Sequence, residues 1–176
     1  MKHRTRSTIT VGNSRDWLDF IGSLKRQGVK FIVVGAHALA ALGKPRHTGD
    51  LDVFVAPTVA NVEKVASALR DFGFDAAADA AYQLAEPHKM MTLGREPTRI
   101  DITNTLSGIT FDEAWEGRAG HQIGDYVVAF LGRREFVKNK HASSENVARR
   151  AKDLADLALL GEIPPQRKVR RRRRPR

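Results

Sequence analysis

The chain has 176 residues, no cysteine, ordinary apolar and charged fractions and a formal net charge of +10. That length can bury one core. The absence of cysteine excludes a disulfide framework and a thiolate metal site, which fits a reducing, cytoplasmic setting. Eight basic side chains lie in the last ten residues, RKVRRRRRPR, so the body stands near +2 and is not strongly basic. The opening MKHRTRSTIT is basic without an apolar core and does not read as a secretory signal. The longest nearly apolar run, Phe31 to Gly43, is interrupted by His37 and is too short to span a bilayer.

Residues 1–13 are expected to form a flexible N-terminus, 14–163 the folded domain, and 164–176 a disordered arginine-rich tail. Ser14 is placed to cap a helix through about Gln27, with Trp17, Leu18, Ile21 and Leu24 on one face. KFIVV, Lys30 to Val34, reads as a buried strand. Gly35 turns the chain into a short helix, Ala36 to Leu42, closed by Gly43. Asp50 to Val55 is the second strand. Pro57-Thr58 opens a helix to about Phe72, with Val62, Val65, Ala66 and Leu69 facing inward.

The middle of the chain predicts short strands at 82–86, 89–93 and 99–103, with a turn at Gly94 to Pro97. Thr110 with Glu113 is a capping-box pattern opening a short helix around Trp115. Another strand is expected at 126–131, and helices at 133–141 and 145–160. In the last helix Val147, Ala151, Leu154 and Ala158 share one side, opposite Arg149, Arg150, Lys152, Asp153 and Asp156. Strands interleaved with helices predict an α/β or α+β domain: a mixed β-sheet flanked by helices, with C-terminal helices and the basic tail beyond.

Side chains two apart on a strand share a face, so Asp50 and Asp52 lie together, roughly 6–7 Å apart along the strand. At an effective dielectric of about 20 they repel by roughly 2–3 kcal/mol. Water screening at a strand start can absorb this; so can a divalent cation, and Mg²⁺ favours carboxylate, water and phosphate oxygens. The neighbourhood favours the cation. Gly35 ends a buried strand and opens a helix, leaving backbone N–H groups accessible to an anion. The loop before Asp50 adds Lys44, Arg46, His47 and Thr48, all able to meet phosphate or base. A third acid, Asp101, lies in TRIDIT, where Arg99, Asp101 and Thr103 face away from Ile100 and Ile102. Three carboxylates beside a phosphate-binding turn suit metal-assisted nucleotidyl transfer.

Three segments, GAHALAALGKPRHTGDLDVFV, RIDITNTLSGITFDEAW and NKHASSENVARRAKDLADLALL, carry a resemblance over about Gly28 to Leu160. It is to the polymerase-beta-like nucleotidyltransferase superfamily, and within it to small bacterial nucleotidyltransferases related to the abortive-infection (AbiEii-type) toxins. The resemblance implies Mg²⁺, with Mn²⁺ as an alternative, and a nucleoside triphosphate as substrate. It implies that Asp50, Asp52 and Asp101 hold metal and act in catalysis. Gly35 and Ala36 match the phosphate-holding turn, and Thr48 falls among the nucleotide-binding positions. Lys140 matches a lysine that contacts the triphosphate, and Asp153 a C-terminal motif. Ala36 stands where Gly or Ser is usual. HASSENVARRAKD is a few residues longer than the related spacing, which makes Lys138 a second candidate for the triphosphate contact. The implied acceptor is a tRNA 3′ end or a protein hydroxyl, and the implied partner a cognate toxin or antitoxin. The alternative is a catalytically weak binding module, an antitoxin or an RNA-binding protein that uses the tail.

Several side chains have plainer readings. His37 packs or caps; Trp17 and Trp115 join the core. Asp153 and Asp156 pair along their own helix with Arg149, Arg150 and Lys152. No histidine spacing suits zinc, and no P-loop or dinucleotide fingerprint is present.

Overall fold

Alternation along DLDVFV sets Leu51, Val53 and Val55 on one side of the strand and Asp50, Asp52 and Phe54 on the other. The first three are fully buried. A one-residue slip would drive the carboxylates into the core, so this register is strongly specified. The computed structural model describes residues 15–162. Among them, β1 (Phe31–Val33), β2 (Asp50–Val55), β3 (Met90–Leu93), β4 (Arg99–Thr103), β5 (Ala119–Ile123) and β6 (Tyr126–Phe130) form one sheet in the order β3-β4-β2-β1-β6-β5. The β1–β2, β3–β4 and β5–β6 pairs are antiparallel, while β2–β4 and β1–β6 are parallel. The expected mixed sheet flanked by helices is therefore the observed architecture.

The helices are α1 (Arg15–Arg26), α2 (Gly35–Ala41), α3 (Val59–Asp71), α4 (Asp75–Ala80), α5 (Phe111–Glu116), α6 (Arg133–Ser143) and α7 (Arg150–Leu159). In α1, Trp17, Ile21 and Leu24 are buried as predicted. Phe20, not Leu18, completes the stripe, since Leu18 is 40% exposed. All four residues expected inside α3 are buried, and the Thr58 side chain accepts from the Asn61 amide at its start. The Asn61 side chain then bonds Lys30 O and Ala56 O, tying α3 to the ends of β1 and β2. The Thr110–Glu113 capping box opens α5 as predicted. Phe111 of α5 meets Phe54 edge-on at 5.0 Å, placing α5 on the sheet face that carries Asp50 and Asp52.

Three elements differ from the sequence reading. Residues 82–86 do not form a strand: α4 runs into a 3₁₀ turn, Ala81–Ala85. The segment from Asp75 is alanine-rich, and burying Ala81 and Leu84 three residues apart suits a helical turn, not alternation. The strand β5 went unpredicted. AGHQI has little β character, but it lies at the sheet edge and is recruited by a two-residue Gly124-Asp125 turn into pairing with β6. A Gly-Asp pair between extended segments is the signal that would have revealed it. The last helix starts at Arg150, not at 145, and its inward face is the charged one. Val147 is 79% exposed and Ala151 and Ala158 are exposed, while Asp153, Asp156 and Leu157 are buried. The partners of those aspartates supply the reason below. The predicted Ser14 cap, the N-terminal segment and the arginine-rich tail lie outside the described residues.

Candidate active site

Parallel pairing of β2 with β4 sets Asp52 opposite Asp101 and Asp50 opposite Arg99. Paired residues share a face, so the two-residue spacing within each strand brings all three acids together. One carboxylate oxygen from each of Asp50, Asp52 and Asp101 lies within 4.8 Å of the others.

The three acids differ in their surroundings. Burial opposes ionisation of Asp50, yet the Thr48 hydroxyl, the Lys152 charge and Arg99 outweigh it and hold Asp50 below the usual carboxylate range. Arg99 reaches Asp50 at 2.6 Å and Asp101 at 3.2 Å. Thr92 donates to Asp101 at 2.7 Å across the β3–β4 pair. No hydroxyl or guanidinium donates to Asp52 among the described residues. Burial, then the charges of Asp50 and Asp101, push its pKa up to about 6, against weaker pulls from Lys152 and Lys140. Negative charge is thus in excess at Asp52.

Gly35 explains how Asp52 can sit there. Its φ is +63°, a left-handed conformation that favours glycine, and a Cβ at this position would lie 2.0 Å from Asp52 Oδ2. The carboxylate packs directly against the backbone where α2 begins. The Val34 amide bonds Asp52 O at 3.0 Å, fixing the strand end against that turn. Ala36, the next residue, is buried. His37 is also buried and meets Trp17 edge-on at 4.9 Å; both are packed, as read from the sequence. Trp115 is only half-buried, with Arg118 4.1 Å and Lys30 4.9 Å from its ring centre.

Lys140, Arg46 and Asp153 fall into a second cluster, together with Asp156. Lys140 of α6 is buried and lies 2.6 Å from Asp153 and 2.9 Å from Asp156. Arg46 binds Asp156 through both oxygens, at 2.7 and 3.2 Å. This ion network turns the charged face of α7 inward. Asp153 and Asp156 pair with α6 and with the loop before β2, instead of with Arg149, Arg150 and Lys152 on their own helix. Lys138, two residues before Lys140, points elsewhere on α6 and pairs with Glu113 at 2.8 Å. It does not join the acids. Arg99, Thr92 and Asp156 were not singled out from the sequence. The alternation in TRIDIT already put Arg99 beside Asp101, but its reach across to Asp50 depends on strand pairing.

Residues 13–158 match the family described as nucleotidyl transferase of unknown function (DUF2204). The chain belongs to this family. No curated protein matches it. The protein is accordingly a transferase of the nucleotidyltransferase type, with an acid triad able to bind a divalent cation. The residues fit such a cation on structural grounds. Three oxygens converge, Asp52 carries uncompensated charge, and a glycine leaves room for its carboxylate. Among the described residues no helix is long and apolar enough to cross a membrane.

Proposed function

We propose that the protein moves a nucleoside monophosphate from a nucleoside triphosphate to an acceptor hydroxyl and releases pyrophosphate, with Mg²⁺ or Mn²⁺ held by Asp50, Asp52 and Asp101. The observation that carries this reading is the convergence of those three carboxylates beside the Gly35 turn. A bound divalent cation supplies charge neutralisation for the phosphates and lowers the pKa of a coordinated hydroxyl. The backbone of Gly35 and Ala36 holds phosphate oxygens, because amides of the first helical turn lack partners within the helix. Asp101, braced by Thr92, orients the acceptor hydroxyl and takes its proton as the acceptor oxygen bonds to the α-phosphorus and the bond to pyrophosphate breaks. Lys152, whose charge acts on both Asp50 and Asp52, draws the triphosphate toward the acids. Lys140 acts from beneath, because Asp153 and Asp156 already hold its ammonium group.

The acceptor is an RNA 3′ end, such as that of tRNA, or a protein side-chain hydroxyl. The arginine-rich tail favours RNA through phosphate contacts. A toxin or antitoxin role follows from the sequence resemblance, and a cognate partner would then control the activity. Incubation with each labelled triphosphate and total RNA or protein extract tests the reading. Label should enter one fraction with the wild type and not with Asp50→Ala. Undiminished labelling by folded Asp50→Ala overturns the assignment.

A further inference from the structure

Arg99 touches three carboxylates at once: Asp50 at 2.6 Å, Asp101 at 3.2 Å and Glu96 at 3.3 Å. Two of these are the acids that converge with Asp52. The oxygens engaged by the guanidinium include Oδ2 of both Asp50 and Asp101, so the arginine and a divalent cation draw on the same carboxylates. The third partner differs. Glu96 lies in the β3–β4 turn, 65% exposed, outside the triad. It packs over Gly49, where a Cβ would come 3.2 Å from Glu96 Cγ, and so it stands beside the start of β2. The Arg99 side chain is 32% exposed, and its Nε is buried without a hydrogen-bond partner.

We propose that Arg99 is the resident counter-cation of this site. In the metal-free protein it holds Asp50 and Asp101 together against their repulsion. When a divalent cation enters, Arg99 is released toward Glu96, and the Arg99–Glu96 pair sets the metal concentration at which the site fills. The inference rests on the metal-dependent reading above and adds a built-in competitor to it. The physical basis is mutual exclusion. The charge-assisted hydrogen bond to Asp50 Oδ2 and the ion-pair contact with Asp101 Oδ2 must each be given up or weakened before that oxygen can serve a metal. Glu96 lowers the cost of release by keeping the displaced guanidinium paired.

The test is Mn²⁺ binding to the full-length, metal-free protein, followed by the electron-spin signal of free Mn²⁺. Arg99→Gln should bind Mn²⁺ about tenfold more tightly than wild type, the change expected from losing one charge-assisted competitor. Its metal-free melting temperature should fall, because three acids are left without their cation, and Mn²⁺ should restore it. Glu96→Gln should weaken binding severalfold, and that loss should vanish when Arg99 is also Gln. Arg99→Lys keeps the charge but bridges only one carboxylate, so a smaller tightening is expected; it stands in if Arg99→Gln does not fold. Binding to wild type that is lost in Asp52→Asn establishes the metal site itself. With that in place, equal or weaker binding by a folded Arg99 variant overturns the counter-cation role alone. So does a Glu96→Gln effect that persists without Arg99. No Mn²⁺ binding by either wild type or Arg99→Gln overturns both readings.

Discussion

The two charged clusters of this protein use the same side-chain chemistry in opposite balance. On the paired strands β2 and β4, inside the sheet, Asp50, Asp52 and Asp101 face Arg99, with Lys152 acting from a distance. Beneath α7, Asp153 and Asp156 meet Lys140 and Arg46, two anions against two cations. The titration behaviour follows the balance. Asp156 is held below the usual carboxylate range: burial acts against ionisation, but its bonds from Arg46 and Lys140 outweigh it. Asp52 is pushed up to about 6 by burial and its acidic neighbours. A neutral network can be buried and used as a fastener. A network left with net negative charge is a poor fastener and a good receptor for a cation. The fastener also serves the receptor. Arg46 belongs to the loop that leads into Asp50, so the Asp156 pair fixes the approach to the acids from outside them.

Substitution of the acids gives the largest expected effect and the sharpest contrast. Asp52→Asn should lower nucleotidyl transfer at least about a thousandfold, as loss of several kcal/mol of transition-state stabilisation requires. The same change should raise the metal-free melting temperature at pH 7.5, since it removes a half-buried charge without a donor. A fall in melting temperature would show that the acid cluster is structural. Lys140→Met makes the opposite case. It strands Asp153 and part of Asp156 in the interior, and should destabilise the fold by about 3–5 kcal/mol in denaturant titration. A loss below about 1 kcal/mol, the range of exposed pairs, would break the distinction between the clusters.

The pH dependence is smaller and has a defined sign. Asp52 binds its proton more tightly folded than unfolded, so between about pH 4 and 6 the native state carries the extra proton. Metal-free stability should therefore fall as pH rises through that window, by up to about 3 kcal/mol from this group. Metal competes with the same proton. The rise in melting temperature on adding Mn²⁺ should be larger at pH 7.5 than at pH 5, and an equal rise at both would remove Asp52 from the metal site. The smallest effect belongs to Lys138→Ala. Its pair with Glu113 is half-exposed on both sides, so stability should change by less than about 1 kcal/mol. Transfer should stay within about twofold of wild type, the scale of a surface change remote from the chemistry. A large loss of transfer would return Lys138 to the triphosphate site.

Features that depend on local periodicity were legible from the residue pattern alone. Two-residue alternation put Asp50 with Asp52, and Arg99 with Asp101, on single faces of their strands. The capping residues Thr58 and Thr110, and the glycine at 35, marked where helices begin. Partnerships between distant segments emerged only from the folded arrangement. Parallel pairing of β2 with β4 laid Arg99 across Asp50 and brought the third acid in. The face of α7 could not be read from its own pattern. Its alanines were the more apolar choice, but Lys140 and Arg46 turned the aspartates inward. The reason is the same in both cases. Backbone geometry fixes which side chains share a face within an element, whereas the sign and reach of charges on other elements fix which face is buried.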